Sequence, residues 1–97
     1  MQRASVRFRA LSDSDNPEVL VGGRQEKVIA FEFRNEGTDT NLIVQKDGAG
    51  FTLAPGEEKA FAVDGHIFFE DAFLVKWNDT GASPVRRGVL TEMYVKP

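Results

Sequence analysis

The chain has 97 residues, 41% of them apolar, with 12 Lys or Arg against 15 Asp or Glu and a formal charge of −3. That length sets the expectation of one domain, residues 1–97, with one modest core. The absence of cysteine excludes a disulfide scaffold and thiolate metal sites, and the acidic balance argues against a nucleic-acid partner, which needs Lys and Arg concentrated on one surface.

Ala4 to Ala10 opens the chain with an alternation: Val6, Phe8 and Ala10 point one way and Ser5, Arg7 and Arg9 the other, the pattern of a half-buried strand. A polar loop follows to Pro17, and Glu18 to Val21 reads as a short strand closed by Gly22-Gly23. Ile29, Phe31 and Phe33 alternate with Ala30, Glu32 and Arg34. Asn35-Glu36-Gly37 then supplies turn residues that tolerate left-handed backbone angles. Leu42 to Lys46 is the next strand, and Asp47-Gly48 carries a two-residue hairpin signal.

Phe51 to Leu53 runs into Ala54-Pro55-Gly56-Glu57, where proline then glycine at the central positions is what a type II turn requires. Lys59, Phe61 and Val63 alternate with Ala60 and Ala62, ending at Asp64-Gly65. Residues 66 to 78 fit a strand pair or a short helix, and their Ile, Phe, Val and Trp content favours strands. Val89 to Val95 closes the chain as a strand, with Gly88 as a candidate bulge. The expected fold is therefore all-β: a small antiparallel β-sandwich of seven to eight strands, jelly-roll or immunoglobulin-like, with a small β-barrel as the alternative.

Catalytic chemistry has little to work with. His66 is the only histidine, and the serines lack a nucleophile-elbow pattern, so no catalytic residue is assigned. Asp13, Asp15, Asn16 and Glu18 begin like a calcium loop, but Pro17 interrupts the chelating pattern and the tight-turn glycine is missing. They are read as a solvated acidic loop. Glycosidase-like pairs drawn from Asp64, Glu70, Asp71 and Asp79 would need a substrate groove that so small a domain rarely offers. No cofactor and no metal is expected.

The residues singled out for contacts are Arg7, Arg9, Arg86 and Arg87, which with Arg3 and Lys96 would form a basic stripe if the first and last strands are neighbours, and Trp77 and Tyr94. Trp77 belongs to the core if it shares a face with Phe73 and Val75; Tyr94, on the opposite parity from Met93 and Val95, is the more exposed ring. Eight phenylalanines with Trp77 and Tyr94 are generous for one core, and surplus aromatics serve interfaces.

Phe33-Arg34-Asn35-Glu36-Gly37, Asn41-Leu42-Ile43-Val44 and Leu53-Ala54-Pro55-Gly56-Glu57, with the later Asp71-Ala72-Phe73-Leu74-Val75 and Thr91-Glu92-Met93-Tyr94-Val95-Lys96, resemble the strands and turns of small β-sandwich proteins of tailed-phage particles. The resemblance implies a virion protein: a capsid decoration, head-fibre base or tail accessory that works by binding other copies of itself and the particle's capsid or tail proteins. The implied location is the virion, assembled in host cytoplasm. Without it, the absence of an apolar run of signal-peptide or membrane-span length sets the expectation of a cytoplasmic protein. A carbohydrate- or receptor-binding module that docks a surface glycan is the alternative, and a nucleic-acid-binding barrel and an enzyme rank below it.

Overall fold

The computed structural model describes residues 4–14, 18–22, 27–46, 49–62 and 70–95, with the backbone alone for residues 18–22, 27, 62 and 70–72. The turns expected at Asp47-Gly48 and Asp64-Gly65, the Asp15-Asn16 part of the acidic loop, and His66 lie outside the described residues.

Among the described residues eight strands follow one another: β1 (Ala4–Ala10), β2 (Glu18–Gly22), β3 (Lys27–Asn35), β4 (Thr40–Lys46), β5 (Ala49–Leu53), β6 (Glu58–Ala62), β7 (Glu70–Asp79) and β8 (Gly88–Val95). They form two four-stranded antiparallel sheets in the orders β1-β8-β3-β6 and β2-β7-β4-β5. Among the described residues no strand ladder joins the two sheets, so the arrangement is sandwich-like and shows no closure into the barrel held as an alternative. Within the ambiguous 66–78 stretch, Glu70 onward is strand. The β-branched and aromatic residues there pack across a sheet, where their stiff side chains lose little freedom.

The core is assembled from both inner faces. Val28, Phe31, Phe33 and Leu90 come from one sheet and Leu42, Val44, Leu53, Phe73, Val75 and Trp77 from the other, with Leu11 closing one end. Five of the phenylalanines pack together in this layer. Phe31 stacks on Phe61 at 4.9 Å between centroids, and Phe33 meets Phe73 edge-on at 5.4 Å. Phe51 bridges the two strands, 6.3 Å from Phe33 and 5.7 Å from Phe61. Much of the aromatic surplus expected to serve an interface is therefore core, since rings at these separations attract each other beyond the area they bury.

The type II turn forms as expected. Gly56 has φ +86°, and the Glu57 amide donates to the Ala54 carbonyl at 2.9 Å. Two other expectations shift. The left-handed residue after β3 is Asp39, with φ 55°, not one of Asn35-Glu36-Gly37. The sheet irregularity falls in β3 between Val28 and Ala30, whereas Gly88 pairs regularly with Asn35 at the start of β8.

What Gly37 supplies is space. Thr38 and Val85 bridge the loops before β4 and β8 through a pair of backbone hydrogen bonds, and a Cβ on Gly37 would lie 2.3 Å from the Val85 carbonyl oxygen. Gly37→Ala must separate the two loops. It is expected to cost about 1–3 kcal/mol, as overpacking does, and to lower the melting temperature by roughly ten degrees in a chain of this size. A thermal melt within two degrees or so of the parent would show that the contact yields freely.

Candidate interaction surface

Antiparallel register sets the outer face of the β1-β8-β3-β6 sheet. Partners across the ladders fall into rows: Val6, Met93 and Ala30; then Phe8, Thr91, Glu32 and Ala60; then Ala10, Val89, Arg34 and Glu58. Side chains on one face recur every second residue, so these residues all point away from the core. Phe8 is 73% exposed, Val6 51% and Met93 39%. The apolar set of β1 thus faces out, the reverse of what a half-buried strand implies.

The reason lies on the other side of the strand. Arg7 stands opposite Glu92 in the register, and Glu92 is fully buried. Arg7 donates from Nε to Glu92 Oε1 at 3.2 Å, with its Nη2 at 3.1 Å, and Arg9 Nη1 donates to the same oxygen at 3.3 Å. Arg7 also lies over the Tyr94 ring at 4.8 Å. A buried carboxylate needs charged or hydrogen-bonding partners, and a one-residue slip would turn both arginines outward. Pairing with Glu92 therefore orients β1, and Val6 and Phe8 are exposed as a consequence. Tyr94, on the same parity as Leu90 and Glu92, packs against the core while Met93 is exposed. This corrects the sequence expectation for that ring.

Two hollows flank this face. One, of about 200 Å³, is lined by Val6, Ala30, Phe31, Glu32, Ala60, Thr91 and Met93. The other, of about 360 Å³, lies beside Phe8 and is lined with it by Glu32, Arg34, Glu36, Val89 and Thr91. The small residues Ala30, Ala60 and Thr91 leave the first hollow open, and Val6 and Met93 form its walls. Charge gathers at the far end of the face, where Arg34 pairs with Glu58 and with Glu32. The hydrogen bond and charge of Glu58, with the charge of Glu32, raise the Arg34 pKa above its ordinary value.

The other residues singled out in the sequence sit elsewhere. Trp77 is a core residue, 8% exposed, and its indole Nε1 donates to the Ser12 carbonyl at 2.9 Å. Arg86 binds Asp79 through two hydrogen bonds of 3.1 and 3.0 Å and reaches the Asp13 carbonyl from Nη1 at 2.9 Å. Arg87 is exposed just before β8. β1 and β8 are indeed neighbours, yet Arg7 and Arg9 turn to the inner side and Arg86 ties loops together at one end. The expected basic stripe is divided between these two places.

The Arg86 hydrogen bonds, then that from the Thr40 hydroxyl at 2.9 Å, hold the Asp79 carboxyl below its ordinary pKa. A depressed folded-state value means the contact stabilises the fold above the ordinary carboxylate pKa, and that this is lost as pH falls through the lower folded value. Carboxyl NMR titration is expected to place the Asp79 midpoint below that of a free aspartate, and Arg86→Ala to move it upward. An unchanged midpoint in that variant would count against the pairing.

At the opposite sheet edge, Lys59 lies over the Phe51 and Phe61 rings at 5.3 and 5.9 Å, beside a cleft of about 280 Å³ that Lys46 and Phe73 also line. Among the described residues no group of three His, Cys, Asp or Glu side chains is placed to hold a metal. Nor is any described helix long and apolar enough to cross a membrane. Comparisons with family models, with curated proteins and with solved structures give no significant match.

The exposed patch was the feature hardest to see in the sequence. Its signal is the pairing of two strands with opposite charge on matching parity: arginines at 7 and 9 in the first, a lone glutamate at 92 between Leu90 and Tyr94 in the last. Once those strands are neighbours, the charged sides must meet and the apolar side of β1 turns to solvent.

Proposed function

We propose that this protein is a non-enzymatic structural component of a phage virion, a capsid decoration or a head-fibre or tail accessory, assembled in host cytoplasm. It acts by packing the outer face of the β1-β8-β3-β6 sheet against other protein subunits, its own copies and a capsid or tail protein among them. The observation that carries the assembly role is the exposure of Phe8, Val6 and Met93 together on one sheet face. Clustered apolar residues on an outer surface mark contact sites, whereas scattered ones do not.

The virion assignment draws on the strand order. Eight strands arranged β1-β8-β3-β6 against β2-β7-β4-β5 support a jelly-roll reading of two sheets and two Greek keys, an architecture used by viral capsid domains as well as by lectins and cupins. The immunoglobulin plan, with four strands against three in its smaller form, fits this order less well. The glycan-binding alternative asks for exposed rings, and neither the core position of Trp77 nor the packing of Tyr94 favours it.

Mass spectrometry of purified particles from the source of this chain tests the assignment. The protein is expected at a stoichiometry set by the particle's symmetry, encoded beside capsid or tail genes. Its absence from particles, with metabolic genes on either side, would overturn the virion reading. For the docking face, Phe8→Ser is expected to leave the urea midpoint almost unchanged, because the ring is already in solvent, while particle-bound protein falls at least tenfold. Undiminished incorporation of this variant would move the contact elsewhere.

A further inference from the structure

We infer that the outer face of the β1-β8-β3-β6 sheet is a twofold interface between two copies of this chain, with Phe8 of each copy seated in the apolar hollow of the other. The inference rests on the proposed docking role of that face and names its partner. A projecting ring and an apolar hollow lie side by side on the same surface. Phe8 stands on edge strand β1, and the hollow of about 200 Å³ opens across β8, β3 and β6 between Val6, Met93, Ala30 and Ala60.

A surface that carries both members of a knob-and-hole pair is complementary to itself. Rotating a second copy by 180° about an axis that lies in the plane of the interface, midway between knob and hole and perpendicular to the line joining them, brings knob to hole and hole to knob at once, which is the isologous contact of a twofold dimer. Rings and filaments instead need complementary patches on different surfaces. The distances permit it. Adjacent strands lie about 4.8 Å apart and packed sheets about 10 Å apart, so a phenylalanine on an edge strand reaches a facing hollow one or two strands in.

The distribution of charge agrees. Glu32 borders the hollow, and Arg34, Glu36 and Glu58 lie further toward one end of the face, with Arg34 paired to Glu32 and Glu58. A dimer centred on Phe8, Val6 and Met93 leaves Glu36 and Glu58 at a wet rim, the usual division between an apolar centre and a polar margin, while Glu32 beside the seated ring keeps Arg34 as its ion-pair partner. It buries no strand edge either. Arg7 and Arg9, which line the inner side of β1, would oppose their own copies if two β1 edges paired, and like charges facing across strands repel. Face-to-face packing avoids that contact.

Sedimentation velocity over a concentration series, on the full chain and two variants, tests the interface. Phe8→Ser removes the knob and Ala60→Arg fills the hole, and both positions are exposed in the monomer, so circular dichroism and urea midpoints should match the parent. The parent is expected to dimerise. Each variant alone should show a dissociation constant raised about a hundredfold, because each defect occurs twice in a twofold contact. An equimolar mixture of the two restores one knob and one hole and should dimerise more tightly than either variant alone. A parent that stays monomeric at millimolar concentration overturns the inference; if Phe8→Ser still blocks incorporation into particles, the docking reading survives it. A dimer indifferent to both variants, or a mixture no tighter than its components, overturns the inference as well.

Discussion

Asn35→Ala is expected to lower the unfolding free energy by about 3–4 kcal/mol, a large share of the roughly 5–15 kcal/mol that a small domain possesses. Asn35 is fully buried at the end of β3. Its Nδ2 donates to the Thr40 and Leu53 carbonyls, both at 2.9 Å, and its Oδ1 accepts the Gly37 amide at 2.8 Å. The backbone of the same residue receives the Gly56 amide at 2.8 Å and donates to the Glu57 carbonyl at 3.0 Å. One side chain therefore joins the turn after β3, in one sheet, to the start of β4 and the end of β5, neighbours in the other.

Truncation removes three hydrogen bonds and strips partners from buried backbone groups, each of which costs about 1–3 kcal/mol when left unmet, with the sum less than additive. Asn35→Asp keeps the acceptor for Gly37 but loses both donors and sets a charge against two carbonyls, so it is expected to be no milder. Urea unfolding followed by fluorescence of Trp77, the single tryptophan, reads both. A loss below about 1 kcal/mol for Asn35→Ala would mean that water or a shifted backbone replaces the amide.

The second large effect is an asymmetry around Glu92. Removing Arg7 and Arg9 together, as Arg7→Leu with Arg9→Leu, strips both guanidinium partners from a fully buried carboxylate. The expected loss is about 3–5 kcal/mol, the range found when one side of a buried ion pair is deleted. Glu92→Leu takes away the buried charge itself. It leaves two arginines whose side chains are 33% and 39% exposed and which can turn to water. Its cost is expected to be smaller, about 1–2 kcal/mol, because desolvating a charge is the expensive part of such a contact. The triple leucine variant should recover much of the loss, as apolar replacements of whole buried ion clusters do. Urea midpoints for the four proteins decide the matter. Equal losses for the glutamate and double-arginine variants would show that Glu92 is not desolvated as the structure places it.

That cluster also marks where reading the sequence stops. The alternation in β1 is visible in the residues themselves, and so are its boundaries. Which side is inner is not, because period-two patterning fixes two faces without saying which meets the core. The usual rule sends Val6 and Phe8 inward. It is overridden here by one carboxylate on a strand more than eighty residues away, and no local pattern carries that information. Tyr94 and Met93 exchange their expected roles for the same reason, since the parity of β8 is settled by the buried glutamate between Leu90 and Tyr94.

Local chemistry read well wherever the cause was local. Pro55-Gly56 makes its turn because proline presets one backbone angle and glycine accepts the other. The strand character of Phe73-Leu74-Val75-Lys76-Trp77 follows from stiff side chains suited to a pleated surface, and the placement of Trp77 with Phe73 and Val75 follows from parity alone. Asn35 was recognised as a turn residue. Its role as a buried cross-link was not, since that depends on three chain segments meeting at one amide.

By itself, then, the sequence determines the all-β character, most strand limits, the tight turn at 54–57 and the supply of core aromatics, all of which arise from steric and hydrophobic preferences acting over a few residues. The tertiary structure alone decides that β1 lies beside β8, that Arg7 and Arg9 turn inward to Glu92, and that Phe8 is left in solvent beside an apolar hollow. The physical reason is that a buried charge must be matched by whatever strand the topology brings next to it, and meeting that need sets which face of the first strand remains exposed.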